Sequence, residues 1–335
     1  MKLITLKNAI DTKPQASDFV TIEAETPQCP DGGVLARVVH LSLDPYVGSR
    51  VRGRHMGENA PTPGQDPIPG AIVGEVLESR AEGIKQGDWV HSMEGGWQET
   101  VALQSGHFRK LNPDQAPLAS HAGILGMPGL TAWAGITQLA KVGKGDTVLV
   151  NAAAGPVGGT VGQIARIKGA KRVVGIAGGD EKCGIVTNSY GFDACIDYKK
   201  DNWKEALKEA LPDGLSVFFE NVSAEMAMTA LENAQLYTRG VLCGLAAAYH
   251  NPTASSHALN MGMIIGKRAQ MLGLVVYDFY PRWDEYVDEA SHWIESGQLK
   301  FVEDRVTGLE HAPALFERLM NGENRGKAVV TVSAE

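Results

Sequence analysis

The sequence predicts an α/β fold in which a doubly wound parallel sheet accompanies a mostly β domain. Three observations predict it. The chain of 335 residues is too long for one ordinary core, the first third carries short strand-like runs, and strand and helix patterns alternate regularly after Ala122. We therefore expect two domains of common size, or one domain inserted in another.

The first third of the chain contains apolar or alternating runs at 33–41, 71–77 and 88–92, separated by turns rich in Pro, Gly and Asp. Such runs are typical of strands. Residues 58–70 contain four prolines in thirteen residues, too many for a helix or a central strand. We expect a surface loop there, of a length that often borders a site.

The change of character near Ala122 predicts a domain boundary. Residues 126–129 form a turn, and 130–139 carry apolar residues at helical spacing. The predicted elements that follow are strand 147–150, a helix to about 168, strand 172–176, a helix after 180, strand 194–197, helix 203–210, strand 215–220, helix 226–236, strand 240–243, strand 271–276 and helix 283–295. This alternation is typical of a parallel sheet with right-handed crossovers. The final β-branched run, 328–332, is a strand that could rejoin the first domain.

A glycine turn joins strand 147–150 to the next helix. Ala153, Gly155 and Gly158 occupy the three glycine positions of the dinucleotide-binding pattern, with alanine at the first. The second glycine lets the backbone approach a pyrophosphate, the third lets helix and strand pack closely, and the helix N-terminus supplies free N–H groups. These glycines would also suit a plain tight turn, but the alternation around them favours a Rossmann-type dinucleotide site.

The end of the second strand distinguishes the two nicotinamide cofactors. NAD-binding proteins usually place an acidic residue there for the ribose 2′-OH, whereas 173–179 (VVGIAGG) has none. Asp180 and Glu181 fit a helix N-cap and first turn better than a ribose contact. Lys182 is a candidate ligand of a 2′-phosphate, with a solvated lysine as the alternative. The sequence therefore favours NADP(H).

Charge and hydropathy disfavour several classes of function. The net charge of −8 disfavours a nucleic-acid partner, which needs a clustered positive surface. The local basic run of Arg50, Arg52 and Arg54 suits either a solvated surface or a cofactor phosphate. No apolar run is long enough to span a membrane, and the N-terminal residues lack the apolar stretch of a secretory signal. We therefore expect a cytoplasmic protein.

The four cysteines, Cys29, Cys183, Cys195 and Cys243, are far apart in the sequence and lack the paired spacing of a structural zinc site. We expect no bound metal. In a cytoplasmic protein the thiols should stay reduced, and most should be small core residues.

Several separated motifs together resemble the zinc-independent branch of the medium-chain dehydrogenase/reductase superfamily, particularly the 2-alkenal, prostaglandin and curcumin reductases. They lie at 43–46 (LDPY), 126–132 (GMPGLTA), 152–158 (AAAGPVG), 161–163 (VGQ), 181–182 (EK), 220–222 (ENV) and 324–327 (NRGK). The likeness covers nearly the whole chain. It implies a GroES-like domain, 1–122, completed by 298–335, and a Rossmann domain, 123–297. It also implies a homodimer that joins the Rossmann sheets edge to edge through strand 271–276.

The resemblance further implies a cofactor site. Lys182 and Tyr198 would surround the adenosine phosphate, and Thr131 would lie near the nicotinamide. The other implied cofactor residues are Ala154, Gly155, Pro156, Val157, Gly158, Gly178, Asn221, Cys243, Gly244, Leu245, Tyr249, Leu274, Val275, Val276 and Asn324. Asn221 follows a strand end, where ligands of open parallel sheets bind. For Cys243, a buried strand residue is an equally good interpretation.

The sequence departs from the family pattern after Tyr46, where Val47-Gly48-Ser49 replaces the frequent Met-Arg-Gly. It also lacks the Cys/His zinc pattern of the alcohol-dehydrogenase branch. The resemblance thus implies metal-free reduction of a small electrophilic carbonyl compound.

In that reaction, hydride from NADPH would reach the β-carbon of an α,β-unsaturated aldehyde or ketone, and the resulting enolate would be protonated. Tyr249 is the first candidate to stabilise the enolate oxygen, and Tyr46 is the second. An NADPH-dependent quinone oxidoreductase is the nearest alternative. A non-catalytic NADP(H)-binding redox sensor is a more distant one.

Overall fold

The computed structural model describes residues 1–249 and 260–335, of which residues 248 and 249 are described by their backbone alone. The chain divides into two units: unit 1, Met1–Gly123 with Glu303–Glu335, and unit 2, Ile124–Val302. Unit 1 is mostly β, whereas unit 2 alternates strands and helices. This combination confirms the predicted α/β fold class.

The elements of the described residues are as follows. The strands are β1 (Lys2–Leu6), β2 (Phe19–Glu23), β3 (Val34–Ser42), β4 (Ile72–Ser79), β5 (Trp89–Ser92), β6 (Thr100–Leu103), β7 (Arg109–Leu111), β8 (Thr147–Val150), β9 (Arg172–Ala177), β10 (Ala194–Asp197), β11 (Leu215–Glu220), β12 (Ala234–Leu242), β13 (Gln270–Gly273), β14 (Glu303–Thr307) and β15 (Lys327–Thr331). The α-helices are α1 (Val47–Arg50), α2 (Met127–Trp133), α3 (Pro156–Ile167), α4 (Asp180–Gly184), α5 (Trp203–Ala210), α6 (Ala224–Glu232), α7 (Met261–Lys267), α8 (Trp283–Glu295) and α9 (Ala312–Met320).

The main sheet of unit 1 has the strand order β14-β15-β3-β4-β5-β7, with β6 paired to β3, and β1 pairs with β2 in a separate ladder. β3, β4 and β5 confirm the strands predicted in the first third. β15 pairs antiparallel with β3, and its Val329 and Val330 are fully buried. The ring of Phe316 in α9 packs edge-on against Trp97 and Phe19. The last part of the chain therefore contributes both a strand and core side chains to unit 1.

Unit 2 contains, in its described part, a parallel six-stranded sheet with the order β10-β9-β8-β11-β12-β13. From β8 the chain adds β9 and β10 on one side, then returns to place β11 beside β8 and fills the other side. The direction of filling reverses between β8 and β11. In sheets of this kind, ligands bind outside the carboxyl ends of the strands at this switch point.

Three predicted elements of unit 2 have the wrong bounds. The helix predicted at 226–236 ends at Glu232, because the strand predicted at 240–243 begins already at Ala234 as β12. Leu236, whose apolar side chain extended the predicted helix, is exposed where β12 shifts its register against β11. The strand predicted at 271–276 ends at Gly273, and a 3₁₀ turn, Val276–Arg282, follows. Among the described strands β13 pairs with β12 alone, so it forms an edge of the sheet.

Helices on both faces bury the sheet of unit 2. On one face Leu207 of α5 and Leu231 of α6 pack in a cluster with Val174 of β9 and Phe218 of β11, all almost completely buried. Each such side chain contributes roughly 1.5–3 kcal/mol by leaving water. This packing fixes the strand ends that carry the candidate site.

Candidate nucleotide-binding site

The turn between β8 and α3 has the geometry of a phosphate cradle. Ala152 adopts a left-handed conformation with φ of 48°, and the Ala153 N–H donates to Ile176 O of β9 at 3.0 Å. A Cβ at Gly158 would lie 2.5 Å from Ala152 O and 2.9 Å from the Ala153 Cα. Because both neighbours are backbone atoms, the close approach of helix and turn requires glycine at this position.

The N-terminus of α3 is open to an anion. Gly155 is the N-cap with φ of −81° and ψ of 170°, Pro156 begins the helix, and no side chain caps it. A Cβ at Gly155 would lie 3.2 Å from Ala152 O, so the glycine also relieves crowding. The first-turn N–H groups, those of Val157 and Gly158, have no intrahelical acceptor by the geometry of a helix. Backbone and helix dipole thus suit a pyrophosphate.

The alanine at the first glycine position is accommodated by β9. The Ala153 Cβ lies 2.8 Å from where a Cβ at Gly175 would stand. Ala153 is completely buried and Ala154 almost so. Gly175 therefore provides the space that the extra methyl group of Ala153 needs.

The carboxyl end of β9 carries no acidic side chain, and a tyrosine and a lysine border it instead. A Cβ at Gly178 would lie 2.9 Å from Cε1 and 3.0 Å from Oη of Tyr198, and 3.1 Å from Cε of Lys199. Tyr198 is half-exposed. Both side chains thus stand over the glycine at the strand end, where a ribose of a Rossmann cofactor is expected.

Asp197, at the end of β10, accepts backbone hydrogen bonds at this strand end. Its Oδ1 accepts from the Gly179 N–H at 2.8 Å and from the Lys199 N–H at 3.0 Å. These bonds, led by the one from Gly179, lower the pKa of Asp197 below its usual value. Asp197 therefore shapes the turn that carries Tyr198 and Lys199.

Helix α4 brings further charges to the same end of the sheet. The prediction that Asp180 is an N-cap is wrong: Gly179 is the N-cap, with φ of 91°, a conformation that favours glycine. Asp180 and Glu181 lie in the first turn, and Lys182 follows them. Asp180 also pairs with Lys200 at 2.8 Å on the exposed surface.

A buried polar network joins the ends of β8 and β11. Glu220 Oε1 accepts from Asn151 Nδ2 at 2.6 Å and from the N–H groups of Val222 and Ser223 at 2.7 and 2.8 Å. Asn221 donates through its backbone N–H to Asn151 Oδ1 at 2.7 Å and through Nδ2 to Asn151 O at 3.1 Å. The network holds Asn221 in place at the switch point of the sheet.

Glu220 is 2% exposed, and its burial raises its pKa to about 7, against the opposing effect of its three hydrogen bonds. Its backbone O accepts from the N–H groups of Cys243 at 2.9 Å and Gly244 at 3.1 Å. Burial also raises the pKa of the Cys243 thiol to about 12. Cys243 thus takes part through its backbone, while its thiol stays protonated.

The remaining predicted residues of unit 2 lie on the segments after β12 and β13 and in α2. Leu245 is exposed, and so is Val275, which directly precedes Val276. Leu274 is buried, and its N–H donates to Leu242 O at 2.9 Å. Thr131 is buried in α2, and its hydroxyl donates to Met127 O at 2.7 Å. The side chain of Tyr249 lies outside the described residues.

Unit 1 holds the other two predicted residues. The Tyr46 ring packs against His55 with 5.3 Å between ring centroids. Asn324 is buried, and its Nδ2 donates to Gly326 O at 2.7 Å. The nearby Lys327 is buried and donates to Asp44 Oδ1 at 2.8 Å. This ion pair links the Asn324 turn to the segment that carries Tyr46.

The sequence departure after Tyr46 has a local explanation in unit 1. Val47, Gly48 and Ser49 are all buried in α1. A Cβ at Gly48 would lie 2.5 Å from Cε of Met320 in α9. Met320 therefore packs over the position where the family often has arginine.

Two site features were not predicted from the sequence: Lys199, and the pairing of Asn151 with Glu220. Each had a weak signal, because all three residues stand at or just beyond the carboxyl end of a predicted parallel strand. Their separation in space depends on the order of the strands in the sheet, which cannot be read from the sequence.

Other kinds of site find no support in the described ranges. No helix there is both long and apolar enough to cross a membrane. Within the same residues, no group of three or more His, Cys, Asp or Glu side chains is placed to hold a metal ion.

Comparison with known proteins agrees with this architecture. Residues 2–111 match the family described as the N-terminal domain of oxidoreductase, and residues 156–292 match the family described as zinc-binding dehydrogenase. The chain is 37% identical to a 2-alkenal reductase (NADP(+)-dependent) of Nicotiana tabacum, over 100% of this chain and 98% of that protein. It is 35% identical to an NADPH-dependent curcumin reductase of Escherichia coli, over 96% and 94% of the two chains.

A solved structure shows the same likeness in three dimensions. CurA of Vibrio vulnificus in complex with NADPH superposes with a TM-score of 0.91 at 33% identity, covering 100% of both chains. Identity of this level over the full length shows the family as well as the fold. The chain belongs to the zinc-independent branch of the medium-chain dehydrogenase/reductase superfamily, together with the alkenal, curcumin and prostaglandin reductases.

Proposed function

We propose that this protein is an NADPH-dependent reductase of the C=C bond of α,β-unsaturated aldehydes and ketones. The observation that carries the proposal is the nucleotide edge of unit 2: a phosphate cradle at α3 and, beside it, a strand end without an acid but with Tyr198 and Lys199 over Gly178. The relatives named for alkenal and curcumin reduction support the choice of reaction.

The residues of the cradle bind and orient the cofactor. The uncapped N-terminus of α3 would hold the pyrophosphate, and Gly158 keeps the helix close enough to do so. Lys182, Tyr198 and Lys199 would bind the 2′-phosphate, because lysine charge and a phenol hydroxyl offer the donors that a dianion needs. Asn221 and the backbone after β12 would line the nicotinamide half.

NADPH supplies a hydride for the β-carbon of the substrate, and the protein manages the charge that develops on the substrate oxygen. An enolate oxygen needs hydrogen-bond donors aimed at it. We assign that role first to Tyr249 and second to Tyr46, with Thr131 near the nicotinamide. A proton from solvent or a tyrosine then completes the saturated carbonyl product.

The tyrosine assignments are tested by Tyr249→Phe and Tyr46→Phe, with Tyr237→Phe as a matched control because Tyr237 is exposed on the sheet of unit 2. Loss of a donor to the enolate should lower kcat about 100-fold on a 2-alkenal. A variant with unchanged kcat and kcat/KM removes its tyrosine from the mechanism.

The reaction class is tested by a panel of enals, enones, quinones and bulky dienones assayed with NADPH and with NADH. We expect turnover of enals or enones, with a KM for NADH at least about tenfold above that for NADPH. Turnover of quinones alone would identify the quinone oxidoreductase instead. Tight NADPH binding without turnover of any electrophile would identify a redox sensor.

We also propose a homodimer that pairs the two β13 edges. The edge leaves backbone groups of β13 unpaired within the described chain, and Val275, two residues after β13, exposes its apolar side chain. Light scattering of the full chain should give twice the chain mass. A monomer at micromolar concentration contradicts this proposal without affecting the proposed reaction.

A further inference from the structure

Lys327 and Asp44 form a buried ion pair in unit 1, although they are 283 residues apart in the sequence. Lys327 Nζ donates to Asp44 Oδ1 at 2.8 Å and to the backbone O of Leu43 at 2.6 Å. The Ser42 hydroxyl donates to Asp44 Oδ2. The side chains of Lys327 and Asp44 are only 3% and 6% exposed. The pair thus ties the first residue of β15 to the segment that follows β3.

The surroundings of Lys327 suit a buried cation. A Cβ at Gly123 would lie 3.1 Å from Lys327 Cγ, so the glycine leaves space for the lysine stem. Burial lowers the pKa of Lys327, whereas Asp44 and, at the start of β14, Glu303 act in the opposite direction. These two acidic groups therefore favour the charged lysine that the ion pair needs.

A buried ion pair is a poor way to stabilise a core. Both charges lose their hydration, and apolar residues of similar volume often leave a protein equally stable or more stable. Removing one partner alone is strongly destabilising, because the other charge stays buried without compensation. The pair of Lys327 and Asp44 is therefore better explained by what it positions than by the stability that it adds.

The segment that the pair anchors leads directly to Tyr46. Asp44 O accepts from the Val47 N–H at 3.1 Å, and Tyr46 O accepts from the Ser49 N–H at 2.9 Å. Pro45 restricts the backbone between Asp44 and Tyr46. Asp44 and Val47 are buried, whereas Tyr46 is partly exposed. The place of the Tyr46 ring thus depends on where Asp44 is held.

The other end of the pair is fixed by backbone contacts. Lys327 begins β15, and Ala328 O, next to it, accepts from the Leu43 N–H at 3.1 Å. On the other side, Gly326 has φ of 74°, and its O accepts from Asn324 Nδ2 at 2.7 Å. Lys327 is therefore a fixed point that holds the Asp44 side chain.

We propose that Lys327, acting through Asp44, is a positioning residue that sets the place of the Tyr46 ring for the reduction. The part of Tyr46 in the reaction rests on the proposed function, whereas its placement by the ion pair does not. Without the pair, the segment keeps its backbone bonds but loses its side-chain anchor. A reacting group displaced by about 1 Å can lower a rate about 100-fold.

A double variant separates positioning from stability. Lys327→Met leaves the buried Asp44 carboxylate without its cation and should lower the Tm by roughly 10 °C. Asp44→Asn/Lys327→Met removes that charge as well and should recover at least about half of this loss. In both variants kcat/KM for a 2-alkenal should fall at least about tenfold. The Kd of NADPH, whose phosphate cradle lies in unit 2, should stay within about twofold of the wild type.

Lys110→Met is the matched control, because Lys110 pairs with Asp88 at 2.7 Å at a more exposed place in unit 1. It removes a lysine from an ion pair without touching the Tyr46 segment. We expect Tm, kcat/KM and the Kd of NADPH to stay near the wild-type values. If Lys327→Met does not fold, the double variant decides the outcome.

Fluorine NMR of protein labelled with 3-fluorotyrosine reports on Tyr46 without using activity, and Tyr46→Phe identifies its resonance. This resonance should shift or broaden in both variants of the pair, while that of the exposed Tyr237 stays unchanged.

Two results overturn the proposal: a kcat/KM that recovers together with the Tm in the double variant, or a Tyr46 resonance identical to that of the wild type. If the wild type reduces no enal or enone, the proposed function fails. The Tyr46 resonance then still decides whether the ion pair positions this ring.

Discussion

Three residues at the ends of β9 and β10 carry the proposed preference for NADPH. Gly178 leaves space, and Tyr198 Oη and Lys199 Cε stand within 3.1 Å of the position that a Cβ there would take. Asp197 fixes this arrangement through backbone bonds to Gly179 and Lys199. In the proposed site, a tyrosine and a lysine would thus stand where NAD-binding proteins usually have an acidic residue, which favours a phosphorylated ribose.

Lys199→Met tests this arrangement against Lys200→Met, a neighbouring lysine that pairs with Asp180 instead. Loss of a charge-assisted bond to the 2′-phosphate should raise the KM for NADPH about tenfold. The KM for NADH and the kcat at saturating NADPH should stay near the wild type. If Lys200→Met has the larger effect, or if NADH suffers equally, Lys199 is not a phosphate ligand.

The buried carboxyl group of Glu220 links the stability of the fold to pH. Burial raises its pKa to about 7 from an ordinary 4.5, so the folded protein binds this proton more tightly than the unfolded chain does. The tighter binding of this proton therefore contributes fully to the free energy of unfolding below about pH 4.5. This contribution is lost as the pH rises towards about 7. A shift of this size corresponds to about 3 kcal/mol.

Glu220→Gln keeps an oxygen acceptor for Asn151, Val222 and Ser223 but carries no charge. In the wild type, titration of Glu220 lowers the free energy of unfolding as the pH rises, and we expect the variant to lack this decrease. The variant should therefore be more stable relative to the wild type above about pH 7 than at lower pH. Chemical denaturation at several pH values measures it. Glu225→Gln, an exposed change in the next helix, serves as control. Parallel pH profiles for Glu220→Gln and the wild type would show that Glu220 does not titrate in this range.

At the scale of elements, the β8–turn–α3 unit is the part of the site that the sequence predicted best. β8 was predicted residue for residue, and the open N-terminus of α3 follows the glycine turn as expected. The strength of this prediction has a physical cause, since a buried parallel strand is a continuous apolar run and the turn needs glycine where backbone atoms crowd.

Gly158→Ala tests the cradle, with Gly143→Ala as its control because a Cβ at Gly143 meets nothing within 4 Å. The new methyl group at position 158 would lie 2.5 Å from Ala152 O, so the turn and helix must separate. We expect NADPH affinity to fall at least about tenfold and stability to fall by about 1–3 kcal/mol. Titration of NADPH fluorescence and thermal unfolding measure the two effects. An affinity equal to that of Gly143→Ala would contradict the assignment of the cradle.

Other elements could not be predicted so well. β14 (EDRVT) is short and partly exposed, so it shows no alternating apolar pattern. The helix predicted at 226–236 was wrong at its end, because Leu236 continues the apolar spacing although it is exposed in β12. In both cases pairing with a neighbouring strand, a contact distant in sequence, decides the structure.

At the scale of the whole molecule, the fold class followed from the alternation of elements, and the family follows from identity over the full chain. The site was harder to predict. Asn151 and Glu220 are 69 residues apart and meet because β8 and β11 are neighbours. Sequence patterns predict the helices and strands, whereas polar pairs such as Asn151 and Glu220 form only because of the order of the strands in the sheet.

The proposed hydride transfer from NADPH to the β-carbon of an enal can be followed with NADPH deuterated at the transferable position and a 2-alkenal as substrate. We predict a saturated aldehyde with one deuterium at the β-carbon, located by NMR of the product. Deuterium at the carbonyl carbon of an allylic alcohol, or no deuterium in any product, would contradict it.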